Sequence, residues 1–406
     1  MHVTRLRALL LGAAFVLPSL PSAANPTPPG ATLHALVEQA WLRSPSARGI
    51  TARQGEIDAA RDLSGSWIAG QPVLGLSQRG GRWSDQNGVR ESEVSMSAPF
   101  WTPGQRSARR TLADQSAIEL QSLIRKARLE IAGEVRARLW DAAASDALLE
   151  VKQGHLRYSA ELADEVRRRV SAGELARVDS LLAQQELEAA RIAVEQAKAE
   201  AHANVSRLRI LTGSSGALPL EPEPLTTVAA IQNVRRDAAR ATESRTQAAL
   251  RLAQASRSAP PTLSLAVRSE RDPTRGAPER SLGLSLQVPI GSAGRNRPVE
   301  AEAQTQLAVA AAEARQAEDV MQAELELARR QLEHAAGALS AANARVSAMH
   351  EHQQLIDKAF RLGERGLADL LRSRALAYEA QVALRQQQVA LGRAHAQFNQ
   401  ASGVLP

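Results

Sequence analysis

The second half of the chain repeats the first at a shift of 190 residues, and this limits what the chain can fold into. Pro99 matches Pro289, Gly104 matches Gly294, and Gly173-Glu174 matches Gly363-Glu364. Asp179, Leu181, Ala190, Gln196 and Gly213 match Asp369, Leu371, Ala380, Gln386 and Gly403, so no gap opens between Pro99 and Gly213. Upstream, Pro72-Val73-Leu74 pairs with Pro261-Thr262-Leu263, one residue out of step. Gene duplication is the simple explanation. The expected organisation is a leader at residues 1–24, a first repeat at 25–215 and a second at 216–406.

Both repeats read as a helix, two short strands and two long helices. The first helix places Leu33, Leu36, Val37, Ala40 and Trp41 on one face, with Thr32 as N-cap and a break at Pro45. Helical signal resumes to about Leu63. In the strands, apolar residues alternate with small or polar ones: Leu74 and Leu76; Val94, Met96 and Ala98; Leu263, Leu265 and Val267; Leu282, Leu284, Leu286 and Val288. Period two with one apolar face fits a sheet over a soluble core, and equally a barrel with lipid outside and water inside. The loops at 79–90 and 269–279 are polar and look like exposed hairpin ends. Four strands cannot close a membrane barrel alone, so a membrane reading requires several chains; three give about twelve strands.

The next helices are expected at 107–170 and 298–362, with Pro298 in a first turn, and their partners at 179–212 and 369–402. Neither long stretch carries Pro or Gly over most of its span, and each would extend roughly 100 Å. Helices of that length need neighbours throughout, hence a coiled coil or α-barrel. Hydrophobic residues make up 44% of the chain but aromatics only 3%; Ala, Leu and Val supply the apolar surface, which suits closely packed helices.

The net charge of +7 is spread along helices among glutamates, which reads as solvated surface and not as a nucleic-acid patch. Cysteine is absent, which excludes disulfides, thiolate chemistry and a lipidated N-terminal Cys. Arg5 and Arg7, an apolar run at 8–17 and Ser22-Ala23-Ala24 lay out a secretory signal peptide with cleavage near Ala24. No later stretch approaches the ~20 apolar residues of a membrane-spanning helix.

Catalytic, cofactor-binding and metal residues are all read as none, and the chain as no enzyme. His350 and His352 are two apart, so a helix points them in different directions. His34, His155, His202, His334 and His395 are isolated, and no Gly-rich phosphate loop occurs. Scattered acids on the long helices read as surface. Asp179 and Asp369 are candidate N-caps of the returning helices, a role compatible with lining a pore. Gly173 and Gly363 supply left-handed turns. Phe100 and Trp101, where a strand ends, suit a soluble core or a membrane interface; the interface is preferred, although Ile290-Gly291 in the second repeat leaves that girdle incomplete.

Three sets of motifs carry a family resemblance. TLHALVEQAWLRSP (32–45) looks like a first helix that in relatives ends in Asn-Pro; here Ser44 replaces the Asn. SAPFWTPGQRSAR (97–109) and LQVPIGSAGRNRP (286–298) resemble strand-to-helix junctions, and VSAGELARVDSLLAQ (170–184) and RLGERGLADLLRSR (361–374) resemble helical tips. With the repeat, these cover nearly all of the chain after the leader. They resemble the TolC-like outer-membrane efflux proteins. The resemblance implies a mainly α homotrimer: an α-barrel of long hairpins through the periplasm, and a 12-stranded β-barrel held by outer-membrane lipid. It implies a passive duct fed by an inner-membrane RND-type pump through a periplasmic adaptor. Gly173, Glu174, Gly363 and Glu364 become adaptor-contact tips, and Asp179 and Asp369 the pore constriction. Arg372 stands where some relatives carry a further Asp; three such Arg would oppose cations or pair with Asp369. GERGLADLL (363–371) looks like the heavy-metal branch, the CzcC-like proteins, which implies metal cations as cargo. Multidrug efflux or type I secretion remains the alternative cargo, and a secreted coiled-coil structural or adaptor protein the alternative class.

Overall fold

The structure is a computed structural model, and it describes residues 32–80, 90–214, 223–225, 233–271, 276–291 and 293–406. The expected leader at 1–24, the loop tips at 81–89 and 272–275, and the boundary between the expected repeats at 215–216 lie outside the described residues.

Helix α1 (Leu33–Arg43) starts where Thr32 Oγ1 accepts from the Ala35 N–H at 3.2 Å, and it buries Leu36, Val37, Ala40 and Trp41. Ser44 ends it and caps α2 (Pro45–Gly65), whose first position takes the proline. Strands β1 (Val73–Gly80) and β2 (Arg90–Pro99) lead into α3 (Gln105–Ser171) and α4 (Arg177–Thr212). The order then recurs as α5 (Val234–Ala255), β3 (Thr262–Arg271), β4 (Glu279–Gln287), α6 (Ala293–Arg361) and α7 (Leu367–Ala401). The four strands form one antiparallel sheet in chain order. Among the described residues no helix is long and apolar enough to cross a membrane.

Two expectations need correction. Pro298 is not in a first turn: α6 begins at Ala293, so the proline lies inside the helix. Proline cannot donate to the i−4 carbonyl, so one ladder bond is lost near the helix start. The acids of the long helices are not all at the surface. Glu119 on α3 is buried, with Arg245 of α5 holding its carboxylate at 2.8 Å. A buried carboxylate needs such a partner.

Helix α3 is the axis of the chain. It pairs with α4 as a hairpin, carries α1, α2 and α5 along its flank, and meets α7; α6 lies against α5 and α7. Alanines at the seams, among them Ala132, Ala142, Ala163, Ala190 and Ala380, are buried. Small side chains let the helix backbones approach closely. Gly392 of α7 is the extreme case, since a Cβ there would overlap the Trp140 ring of α3. Gly392→Ala is expected to lower stability by about 1–3 kcal/mol, because the ring must leave its place. Chemical denaturation checks this; an unchanged midpoint would mean the two helices do not meet there.

Candidate functional site

The sheet has two chemically different faces. In register, Leu74, Met96, Leu265 and Leu284 form one row across all four strands, and Leu76, Val94, Val267 and Leu282 form the next. Ala98, Leu263 and Leu286 make a third. Among the described residues nothing covers this face: Leu76 is 74% exposed and Leu284 72%. The other face carries Gly75, Ser95, Ala266 and Gly283 in one row, and Ser77, Glu93, Arg268 and Ser281 in the next. There Arg268 bonds Glu91 at 2.9 Å and Glu93 at 3.0 Å. Among the described residues β1 and β4 are both edges without a partner strand. The molecule thus holds a bare apolar surface, a wet charged surface and two open edges in one sheet.

Phe100 and Trp101 sit at the junction of sheet and helices. The Phe100 ring meets Trp67 edge-on at 5.9 Å, and Trp101 Nε1 donates to the Ser66 carbonyl at 2.9 Å. Arg106 at the start of α3 donates to the Ser64 and Gly65 carbonyls at 3.0 and 2.6 Å, satisfying the end of α2. Trp67 is largely exposed and was missed by sequence reasoning; an isolated Trp after a helix carries no periodic signal.

At the far end of α3 the chain turns back twice in the same way. Glu174 N–H donates to the Arg169 carbonyl and Glu364 N–H to the Ala359 carbonyl, both at 2.9 Å. Gly173 and Gly363 adopt φ of 80° and 77°, which a side chain would strain. Leu162, Val166 and Leu187 of the first hairpin share a buried cluster with Phe360, Leu367 and Leu370 of the second. Arg169 lies over the Phe360 ring at 5.0 Å and bonds the Glu174 carboxylate at 3.1 Å. The two tips are thereby fixed side by side.

Asp179 and Asp369 are not N-caps, because the returning helices begin two residues earlier, at Arg177 and Leu367. From the third helical position, Asp179 Oδ2 accepts from the Ala176 N–H at 3.1 Å, so it satisfies the helix start by reaching back. Asp369 meets Arg365 at 3.7 Å; Arg372 is exposed and is not its partner. Val178 and Leu181, beside the first tip, are exposed apolar residues that sequence reasoning did not select.

The histidines act singly. His350 faces Gln354 at 2.9 Å and His352 faces Ser373 at 3.0 Å. His155 meets Glu186 at 3.2 Å and stacks on Tyr378 at 4.2 Å. Burial first, and then the Glu186 charge, push the Tyr378 hydroxyl above its ordinary range. Among the described residues no group of three or more His, Cys, Asp or Glu could hold a metal ion.

The chain thus joins a sheet with one bare apolar face to helices of some 100 Å that return in two matched tips. The fold is that of VceC, an outer membrane protein from Vibrio cholerae: TM-score 0.76 at 16% identity, covering 92% of this chain and 96% of that one. CusC gives 0.75 at 15% identity over 91% of each chain, and the CmeC outer membrane channel of Campylobacter jejuni 0.72 at 13% identity, over 97% of this chain and 93% of that one. Among curated proteins none matches in sequence. The family model described as outer membrane efflux protein matches residues 37–214, a little under half of the chain.

Proposed function

We propose that the chain is the outer-membrane duct of a tripartite efflux system, a homotrimer that passes solutes outward without supplying energy. The observation that carries this reading is the sheet: an uncovered apolar face beside two open edges is stable in lipid only if other copies pair with those edges. Three copies bring about twelve strands, enough to close a barrel. The helices then extend into the periplasm, the location that goes with the family's outer-membrane class. The paired tips support a meeting point with a periplasmic adaptor and, through it, an RND-type inner-membrane pump. Exposed Val178 and Leu181 next to Gly173 and Glu174 offer apolar contact there, and Gly363 and Glu364 supply the second tip. Phe100, Trp101 and Trp67 fit the level where the barrel meets the periplasm.

Heavy-metal cations are the proposed cargo, supported by the second tip, residues 363–371. Drugs, dyes or secreted proteins are the second reading. A secreted coiled-coil protein is disfavoured, since nothing would cover the apolar face. Deleting the gene should sensitise cells to divalent metals and leave drug and dye tolerance unchanged; the reverse pattern gives the second reading. Asp179, Asp369 and Arg372 are proposed to line the constriction. Arg372→Asp should raise cation over anion permeability about fivefold, the factor for roughly 1 kcal/mol between charges 4 Å apart in water. Reversal potentials in planar bilayers measure it, and an unmoved potential would place Arg372 outside the pore.

A further inference from the structure

We propose that Arg90, Arg271 and Arg280 form a phosphate-binding rim for lipids of the leaflet farther from the helices. The proposal rests on the membrane-spanning reading above. Antiparallel partners point to the same face, so the register assigns every charged side chain of the sheet to a side. The polar face holds the carboxylates Glu91, Glu93, Glu270 and Glu279, with Arg79 and Arg268 among them. The apolar face holds Arg90, Arg271 and Arg280 and no carboxylate.

Arg90 and Arg271 are directly opposite each other on neighbouring strands, and Arg280 is opposite Ser269 one row nearer the apolar band. Like charges placed directly opposite are destabilising unless something neutralises them. On the polar face Arg268 is neutralised by Glu91 and Glu93. Among the described residues none of the three outward arginines has an ion-pair partner, and all three are exposed. The proposed neutralising anion comes from whatever touches this face.

Position identifies it. The last apolar row is Leu76, Val94, Val267 and Leu282; Arg280 is two residues beyond it, and Arg90 and Arg271 four. At about 3.3 Å per residue these are roughly 7 and 13 Å along the strands, less once strand tilt is allowed for. A tilt of about 45° leaves roughly 5 and 9 Å, within and at the outer edge of a headgroup layer about 5–8 Å deep beside the hydrocarbon core. The other end of the same face has Ala98, Leu263 and Leu286 and no charge, so the rim belongs to one leaflet. Guanidinium groups grip phosphate oxygens in bidentate fashion, and three on one surface suit a lipid carrying more than one phosphate.

The test titrates the purified, detergent-solubilised full chain with bis-phosphorylated lipid A, with dephosphorylated lipid A and with inorganic phosphate. Lipid binding is read by native mass spectrometry. The variant R90Q/R271Q/R280Q is expected to bind phosphorylated lipid A roughly 100-fold more weakly, and R280Q alone about fivefold, at some 1 kcal/mol per arginine. R79Q/R268Q, altered on the polar face, should bind as the parent does. Equal affinity for the two lipids, undiminished binding by both the triple and the single variant, or an equal loss in R79Q/R268Q would overturn the proposal. Inorganic phosphate competing at the same concentration as the lipid would overturn it in favour of a free-anion site. The membrane reading fails separately: the parent chain would then stay soluble and fractionate without detergent.

Discussion

Leu284→Arg is expected to keep the chain from assembling in the outer membrane, while Ser285→Arg, one residue on, is tolerated. Leu284 ends the middle apolar row, opposite Leu265, and is 72% exposed. Ser285 pairs with Ser264 on the wet face. An arginine facing lipid near the bilayer midplane costs about 2–4 kcal/mol, and a trimer meets that cost three times. In a water-filled lumen the same side chain stays hydrated. Membrane fractionation and heat-resistant oligomer on gels read the outcome. Equal behaviour of the two variants would mean that the apolar face does not meet lipid, and the duct reading would fall with it.

Arg136→Met should cost about 3–5 kcal/mol, the range for breaking one side of a buried ion pair. Arg136 on α3 is 3% exposed. Its Nε and Nη2 donate to the two Glu223 oxygens at 2.8 Å each, Nη1 donates to Gln400 Oε1 at 2.7 Å, and Nη2 also reaches the Val404 carbonyl at 3.2 Å. Asn399 Nδ2 donates to Glu223 as well, at 3.2 Å. One guanidinium therefore ties α3, the segment around Glu223, and the end of α7 with the chain beyond it. Removing it strands a carboxylate among few alternatives. Replacing both partners, as in R136M/E223L, should recover most of the loss, because an apolar pair leaves no charge unpaired. Denaturation midpoints of the single and double variants decide it; a double variant as weak as the single would show that the arginine acts through Gln400 and Val404 instead.

The sequence was informative where structure is periodic. The stretch expected at 107–170 is Gln105–Ser171, because nothing breaks its 3.6-residue pattern. The strand alternation from Leu74 to Val288 revealed one apolar face, and the register then aligned those residues in rows. Periodicity did not give the start of α6, since Pro298 read as a boundary while a helical turn precedes it. The node at Arg136 and the Glu119–Arg245 pair were also invisible. Each joins positions far apart in the chain, and an arginine on a long helix looks the same whether it ends in water or in a carboxylate. The tips were legible as turns, but the exposed Val178 and Leu181 emerged only once the packing of their neighbours was known.

The unbroken length of α3 makes it a lever. Its near end is held where Arg106 grips the Ser64 and Gly65 carbonyls and Gln105 Nε2 reaches Ser256 Oγ at 3.3 Å; its far end carries a tip. A pivot of about five degrees at the near end sweeps a point roughly 100 Å away through some 9 Å. In the proposed duct, aperture at the tips would be amplified from angular freedom at the fulcrum, and a stiff junction beside the sheet would set how far the distant end can swing.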